Sequence, residues 1–391
     1  MSTTAAPVPV VLAGARGHGR WHLANIRRLQ QQGRIRLAGI CELTPLTDDE
    51  LDAFSGEPLR QSADFGALLD ATGASVAVIC TPIQTHTALA LAAAARGVHL
   101  LLEKPPAANF ADYARMTDGV RAAGVTCQIG FQSFGSHAVS AVRELIRTGA
   151  VGAVRGIGAA GAWTRDDAYY QRAPWAGRRR LGAVDVVDGV LTNPLAHAVA
   201  TALELVGRGA AEDVAGIETE LFRAHDIEAD DTSCVRVTTT DGLPVTVAVT
   251  LCAERAGEPY VIVHGDRGRI TFWYKQDRVL VQRAGHGPQE AVHGRTDLLE
   301  NLVDHLAHGT ALLAPPHRTG AFMRVVEAVR TAPEPTALPA DAWHTGPATA
   351  GTGVRRVVRG IDGLVAASAD TLSLFSELGA SWALPSEVST P

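Results

Sequence analysis

Glu103-Lys104-Pro105 follows an apolar run at 98–102 and holds one of only two lysines in 391 residues. Of the 35 basic side chains 33 are arginine, and lysine stands only at 104 and 275. Arginine stays charged under ordinary conditions, whereas a lysine ammonium shifts its pKa readily. A lysine kept against that skew points to chemistry at Lys104 rather than to solvation. Further along, Asn193 and His197 stand four residues apart, a spacing that sets two side chains on one helix face. Imidazole titrates near neutrality and suits general base work, and an ammonium stabilises negative charge developing on an oxygen. Asn193 cannot titrate; it can orient His197 or hydrogen-bond a second hydroxyl, and this leaves Lys104 as an alternative proton acceptor. Two plainer readings stay open: Asn193-Pro194 as a helix cap with proline at the first helical position, and His197 as a satisfied core histidine.

A glycine turn supplies the second element of chemistry. The apolar run 9–12 leads into Gly14-Ala15-Arg16-Gly17-His18-Gly19 and then a helical stretch. A dinucleotide turn wants glycine for the tight bend, for backbone approach to the pyrophosphate and for helix–strand contact. Gly14 and Gly19 fill the first and third roles. Arg16 stands at the middle position with Gly17 beside it, so the match is partial, and an ordinary glycine-rich turn is the alternative. Glu42 ends the next strand, where an acid accepts hydrogen bonds from ribose hydroxyls and repels a 2′-phosphate. It favours NAD over NADP, with NADP open if Arg16 or a neighbouring arginine holds that phosphate; a solvated loop glutamate is the plain reading. His18 and His22 have the spacing of a metal pair, yet no third ligand is evident. Cofactor-proximal and capping roles are expected for them, and no metal.

Stepping outward, the first 130 residues alternate short apolar strands with helices of about 12 residues, the pattern of βαβ units on a parallel sheet. After Phe131 come a helix, a long polar loop, a second helix and then successive strands with short turns, which predicts an antiparallel sheet. The expected fold class is an α/β, doubly wound N-terminal domain plus an α+β C-terminal domain with an open, mainly antiparallel sheet. Boundaries are expected at 1–131 and 132–331, with 332–391 as linker and strand–helix tail. The loop between the chemical groups carries Trp163, Arg165, Tyr170 and Trp175. Aromatic faces beside guanidinium donors suit polyhydroxylated rings, so Arg165, Tyr170 and Trp175 are read together as substrate-binding, against a surface loop with buried aromatics.

Composition narrows the function classes. A net charge of −6, with no basic stripe beyond Arg178-Arg179-Arg180, argues against nucleic acid. Apolar runs fall short of the roughly 20 residues of a membrane span, and the N-terminus lacks the basic start of a signal peptide. Five scattered cysteines form neither a disulfide framework nor a zinc knuckle. A cytoplasmic protein is expected.

The glycine turn continuing as Gly19-Arg20-Trp21-His22, Thr81-Pro82 with His86, Glu103-Lys104-Pro105, and the approach 188–197 to His197 together resemble the Gfo/Idh/MocA oxidoreductases. The resemblance covers most of residues 8–330. It implies that Thr81, Pro82 and His86 line the nicotinamide side of the cofactor and that Glu103 and Lys104 sit between nicotinamide and substrate. Asn193 departs from the aspartate of the family pattern. The implied activity is NAD(P)-dependent hydride transfer at a secondary hydroxyl or carbonyl of a sugar, sugar derivative or cyclitol, in a homodimer or homotetramer built on an exposed sheet face. A non-catalytic dinucleotide- or sugar-sensing regulator and an NAD-dependent glycosidase are the alternatives.

Overall fold

The computed structural model describes residues 6–51, 59–348 and 353–384; residues 1–5, on which the reading of the N-terminus rests, lie outside them. The chain divides into two compact units, Met1–Gln132 with Thr296–Pro316, and Ser133–Arg295 with His317–Pro391. In the first, β1 (Val8–Ala13), β2 (Ile35–Cys41), β3 (Arg60–Ser62), β4 (Val76–Ile79), β5 (His99–Leu102) and β6 (Cys127–Ile129) form a parallel sheet of order β3-β2-β1-β4-β5-β6. Parallel neighbours need long crossovers. These contain α1 (Gly19–Gln31), α2 (Asp48–Leu51), α3 (Phe65–Thr72), α4 (His86–Ala94) and α5 (Phe110–Ala122). Val76-Ala77-Val78-Ile79 is fully buried, as a strand covered on both faces must be. α1 turns Leu23, Ile26 and Leu29 inward, and His22 shares that buried side. Strand order reverses between β1 and β4, whose carboxyl ends lead to Gly14 and Thr81, the place where open α/β sheets bind ligands.

The second unit opens with α6 (His137–Arg147), β7 (Val154–Ala162), α7 (Asp167–Gln171), the hairpin of β8 (Arg180–Leu181) and β9 (Val184–Asp185), and α8 (Ala196–Leu205). There follow β10 (Val214–Arg223), β11 (Thr232–Thr239), β12 (Pro244–Thr250), β13 (Tyr260–Gly265), β14 (Gly268–Trp273), β15 (Arg278–Arg283) and β16 (Gln289–Val292). Helix α9 (Leu298–His308) belongs to the first unit. There the fully buried Gln128 donates to the Leu298 carbonyl at 3.0 Å and to Asn301 Oδ1 at 2.8 Å, and accepts the Ala314 amide at 2.8 Å.

The remaining chain returns to the second unit as α10 (Gly320–Thr331), β17 (Thr336–Ala337), β18 (Trp343–Pro347), β19 (Val354–Val358) and α11 (Ile361–Thr371). The large sheet runs β16-β15-β14-β13-β7-β12-β11-β10-β17; β7 pairs with β12, and β10 with β17, in parallel, and the other pairs are antiparallel. The stretch expected as a linker is thus partly in the sheet, with Leu338 buried behind β17.

Side chains alternate across a strand. Gly161 of β7 faces Leu195 just before α8, whereas Gly158 faces α11 so closely that a Cβ there would meet the Ala369 carbonyl oxygen at 1.8 Å. Phe222, Val358, Ile361, Val365, Leu374 and Phe375 form one apolar cluster with Ala160 and Ala248. The tail therefore covers part of the sheet face on which self-association was expected. Among the described residues, no helix is long and apolar enough to cross a membrane.

Candidate functional site

In the first unit the site begins at Gly14. Its φ is +83°, and a Cβ would lie 2.3 Å from the Cys80 carbonyl oxygen; a Cβ on Gly19 would lie 2.0 Å from that of Gly14. Only glycine allows this backbone conformation and these approaches without strain. Gly17 also has positive φ. The amides of Ala15 and Arg16 donate to Glu42 Oε1 at 2.5 and 3.1 Å, so the turn already holds an anion. The Arg16 guanidinium stands 3.7 Å from Glu42 and 3.3 Å from Glu50, and donates to the Thr44 and Pro45 carbonyls.

The turn after β4 is tied to the turn after β5. His86, buried, places Nε2 2.8 Å from the Thr81 carbonyl oxygen and Nδ1 2.8 Å from that of Pro105. Burial holds its pKa below the ordinary value although both carbonyls favour the charged ring. His86 thus braces Thr81 against the Lys104-Pro105 turn, where the peptide is cis, rather than lining an open surface. Thr81 and Thr85 hydroxyls bond at 2.6 Å, and Thr85 donates to the Pro82 carbonyl at 2.7 Å.

Glu103 points inward. His22 Nε2 lies 2.9 Å from its Oε1, His18 Nε2 3.5 Å from the same oxygen, and the Lys104 amide donates to Oε2 at 3.1 Å. Burial opposes ionisation, but bonds from His18 and His22 outweigh it and hold the carboxyl well below the usual range. Sequence spacing missed Glu103 as a third ligand-type group beside His18 and His22; the three could hold a cation. The expected capping role of His18 is corrected: it occupies the N-cap of α1, but its side chain makes no cap bond and stacks on Trp21 instead. Lys104 is half-buried.

In the second unit, Asp188 holds Asn193 together with two groups that the sequence did not single out. Its Oδ1 accepts from Asn193 Nδ2 at 2.6 Å; Oδ2 accepts the Gly177 amide at 2.8 Å and Arg172 at 3.1 Å. Helix α8 begins at Ala196 with Leu195 as its N-cap, so Asn193 neither caps it nor shares a helix face with His197. Pro194 precedes the helix, and the Asn193 side chain donates from Nδ2 to the Asp188 carboxylate. His197 Nδ1 lies 3.1 Å from Ser133 Oγ, which also accepts from Thr201 at 2.8 Å; its ring stacks near Tyr274. In the tautomer whose Nδ1–H donates to Ser133, Nε2 carries the lone pair.

The loop aromatics divide. Arg165 lies over Trp163 and Tyr169, and Arg172 over Tyr169 and Trp175, a ladder of cation–π contacts joining Arg165 and Trp175 through Tyr169 and Arg172. Tyr170 meets the ladder edge-on at Tyr169, with ring centroids 5.2 Å apart, and its ring lies 4.8 Å from that of His225. Asp188, Arg172 and Ser133 were missed by spacing arguments; the Asp188-Gly189 pair ahead of Asn193 was the available signal.

Residues 8–131 match a family model described as an oxidoreductase family with an NAD-binding Rossmann fold, and residues 139–271 match the GFO/IDH/MocA C-terminal domain. Levoglucosan dehydrogenase of Pseudarthrobacter phenanthrenivorans is 26% identical over 148 residues, 38% of this chain and 37% of that protein. dTDP-3,4-didehydro-2,6-dideoxy-alpha-D-glucose 3-reductase of Streptomyces violaceoruber is 34% identical over 95 residues, 24% of this chain and 28% of that protein. The aligned stretches span only about a third of these relatives. Among solved structures, the WlbA dehydrogenase of Bordetella pertussis with NADH and UDP-GlcNAcA has TM-score 0.68 at 21% identity, covering 83% of this chain and 95% of that one. Levoglucosan dehydrogenase with NADH has TM-score 0.70 at 19% identity, covering 83% and 96%. At such identities the structures show a shared fold. With both of its domains matched by family models, the chain belongs to the GFO/IDH/MocA family of oxidoreductases.

Proposed function

We propose that this protein is an NAD-dependent dehydrogenase or reductase acting on a secondary hydroxyl or carbonyl of a sugar, sugar derivative or cyclitol. The observation that carries the reading is the end of β5, where the buried His22–Glu103 pair and the His86 brace fix the turn that bears Lys104. The first unit fits the cofactor: the Gly14 turn leaves no room for a side chain, and the Ala15 and Arg16 amides hold a carboxylate where a phosphate needs donors. Gly14, Arg16, Gly17, His18 and Gly19 would hold the pyrophosphate, Glu42 the ribose, and Thr81, Pro82, His86 and Glu103 would shape the nicotinamide side. Bound NAD would supply the nicotinamide ring that accepts the hydride.

In the oxidative direction His197 takes the hydroxyl proton at Nε2, oriented by Ser133 at Nδ1. Lys104 would stabilise negative charge that develops on a substrate oxygen. Asn193, held by Asp188, bonds a second substrate hydroxyl. The relatives' own substrates and ligands, levoglucosan, a dTDP-linked glucose derivative and UDP-GlcNAcA, support a carbohydrate. We place the protein in the cytoplasm, in keeping with five free cysteines. A homodimer or homotetramer would pair through surface other than the sheet area under the tail.

The test is a panel of polyols, aldoses and cyclitols with NAD, read at 340 nm. Turnover on at least one supports the proposal. Cofactor binding with no turnover in either direction on any of them contradicts it.

A further inference from the structure

A cavity of about 1160 Å³ lies wholly within the second unit, walled by the loop after α7, the turn after β10, the end of α10 and β19. Its wall contains six arginines against five carboxylates, those of Asp167, Asp185, Asp226, Glu228 and Glu334. Arg178 pairs with Glu228, and Arg180 and Arg330 with Asp185. Arg179 instead donates to the carbonyls of Val329, Arg330, Ala332 and Pro333 at the end of α10. Arg356 donates to the Ala224 carbonyl and stacks on Trp343. Arg223 reaches only the fully exposed Asp226, at 4.0 Å. Among the described residues, Arg179 and Arg356 meet no carboxylate within 4 Å and Arg223 meets only Asp226 at that limit, so the wall keeps a small positive excess.

The same wall holds two buried polar atoms with no hydrogen-bond partner, Tyr170 Oη and His225 Nε2. His225 is 2% exposed, and its other nitrogen is committed: Nδ1 lies 2.9 Å from Asp231 Oδ2. Asp231 is held in turn by the amides of Ala224 and His225, so it is fixed as a carboxylate acceptor. Nδ1 therefore carries the proton and Nε2 a lone pair, with the Tyr170 ring 4.8 Å away. A buried acceptor and donor left unpaired are costly, and a ligand hydroxyl donating to His225 and accepting from Tyr170 would satisfy both. Burial keeps the neighbouring Cys252 thiol protonated, and Asp231 is spent on backbone amides, so this cluster serves a hydroxyl better than a metal ion.

We infer that this cavity binds an anionic carbohydrate, with a sugar hydroxyl between Tyr170 and His225 and a carboxylate or phosphate group on Arg223 and its neighbours. The binding goes beyond the proposed hydride transfer and requires no cofactor. Asp188 joins the two regions, since one oxygen holds the Gly177 amide of the cavity wall and the other holds Asn193.

Titration calorimetry of the cofactor-free full chain with glucuronate, glucose 6-phosphate and neutral glucose tests this directly, with NADH binding followed separately by fluorescence. The account expects glucuronate or glucose 6-phosphate to bind at least about tenfold more tightly than glucose, and the better of the two identifies the anionic group. Arg223→Gln and Tyr170→Phe should each weaken that binding about tenfold or more while leaving NADH affinity unchanged. Should Arg223→Gln fail to fold, Arg356→Gln, which removes the guanidinium stacked on Trp343, carries the same expectation. Equal affinity for glucose, or wild-type affinity in the Tyr170→Phe variant, overturns the inference whatever the dehydrogenase assay shows.

Discussion

His22 Nε2 meets Glu103 Oε1 at 2.9 Å, and both side chains are buried in the first unit. The pair joins the helix after the glycine turn to the residue preceding Lys104. A buried carboxylate stripped of its partner destabilises far more than an exposed one. His22→Leu should therefore cost about 3 kcal/mol, read as a lower melting temperature at pH 7, while Glu103→Gln, which removes the charge, should cost less. Equal melting of wild type and His22→Leu would remove the pair from the stability of this unit.

Acid should weaken the protein in two stages. His86 has a lowered folded pKa, so the neutral ring is favoured by folding; that contribution is present at high pH and falls away as pH drops below the unfolded value of roughly 6.5. Glu103 is also depressed, so its contribution is present above roughly pH 4.3 and is lost as pH falls from there toward the folded value. Melting temperature against pH should show both, and a His86→Gln variant should lose the upper stage.

Arg16 is engaged with Glu42 and Glu50, which leaves the end of the turn proposed to hold the ribose acidic. Relative kcat/KM should favour NAD over NADP, and Glu42→Ala should narrow the difference by about tenfold. A wild-type preference for NADP would contradict this role for Glu42.

The tail core makes a further prediction. Phe375 is fully buried against Phe222 and Trp382, so Phe375→Ala should cost about 3–5 kcal/mol and broaden thermal unfolding of the second unit. Unchanged melting would mean that the tail is not part of the cooperative structure.

Much of this architecture was legible because its signals are local. The buried run Val76-Ala77-Val78-Ile79 and the inward side of α1 follow from residues a few positions apart. The glycine turn, Thr81-Pro82 and Glu103-Lys104-Pro105 could be located because each ends a parallel strand. Long-range partners could not be read the same way. Glu103 lies 81 positions from His22, which is why a third group beside His18 and His22 was missed. Asn193 looked like a cap because Asn-Pro favours one, and only the fold brings Asp188 to claim its amide. The return of α9 to the first unit depends on the amide of Gln128, a residue with no distinguishing neighbours in sequence.

The most direct test is pre-steady-state NADH formation by Lys104→Ala, using a substrate that the wild-type enzyme turns over. The account expects the hydride-transfer rate to fall by about 10²-fold or more, with NADH affinity within about threefold of wild type. A variant that transfers hydride at the wild-type rate would show that the ammonium at the end of β5 plays no part in the reaction.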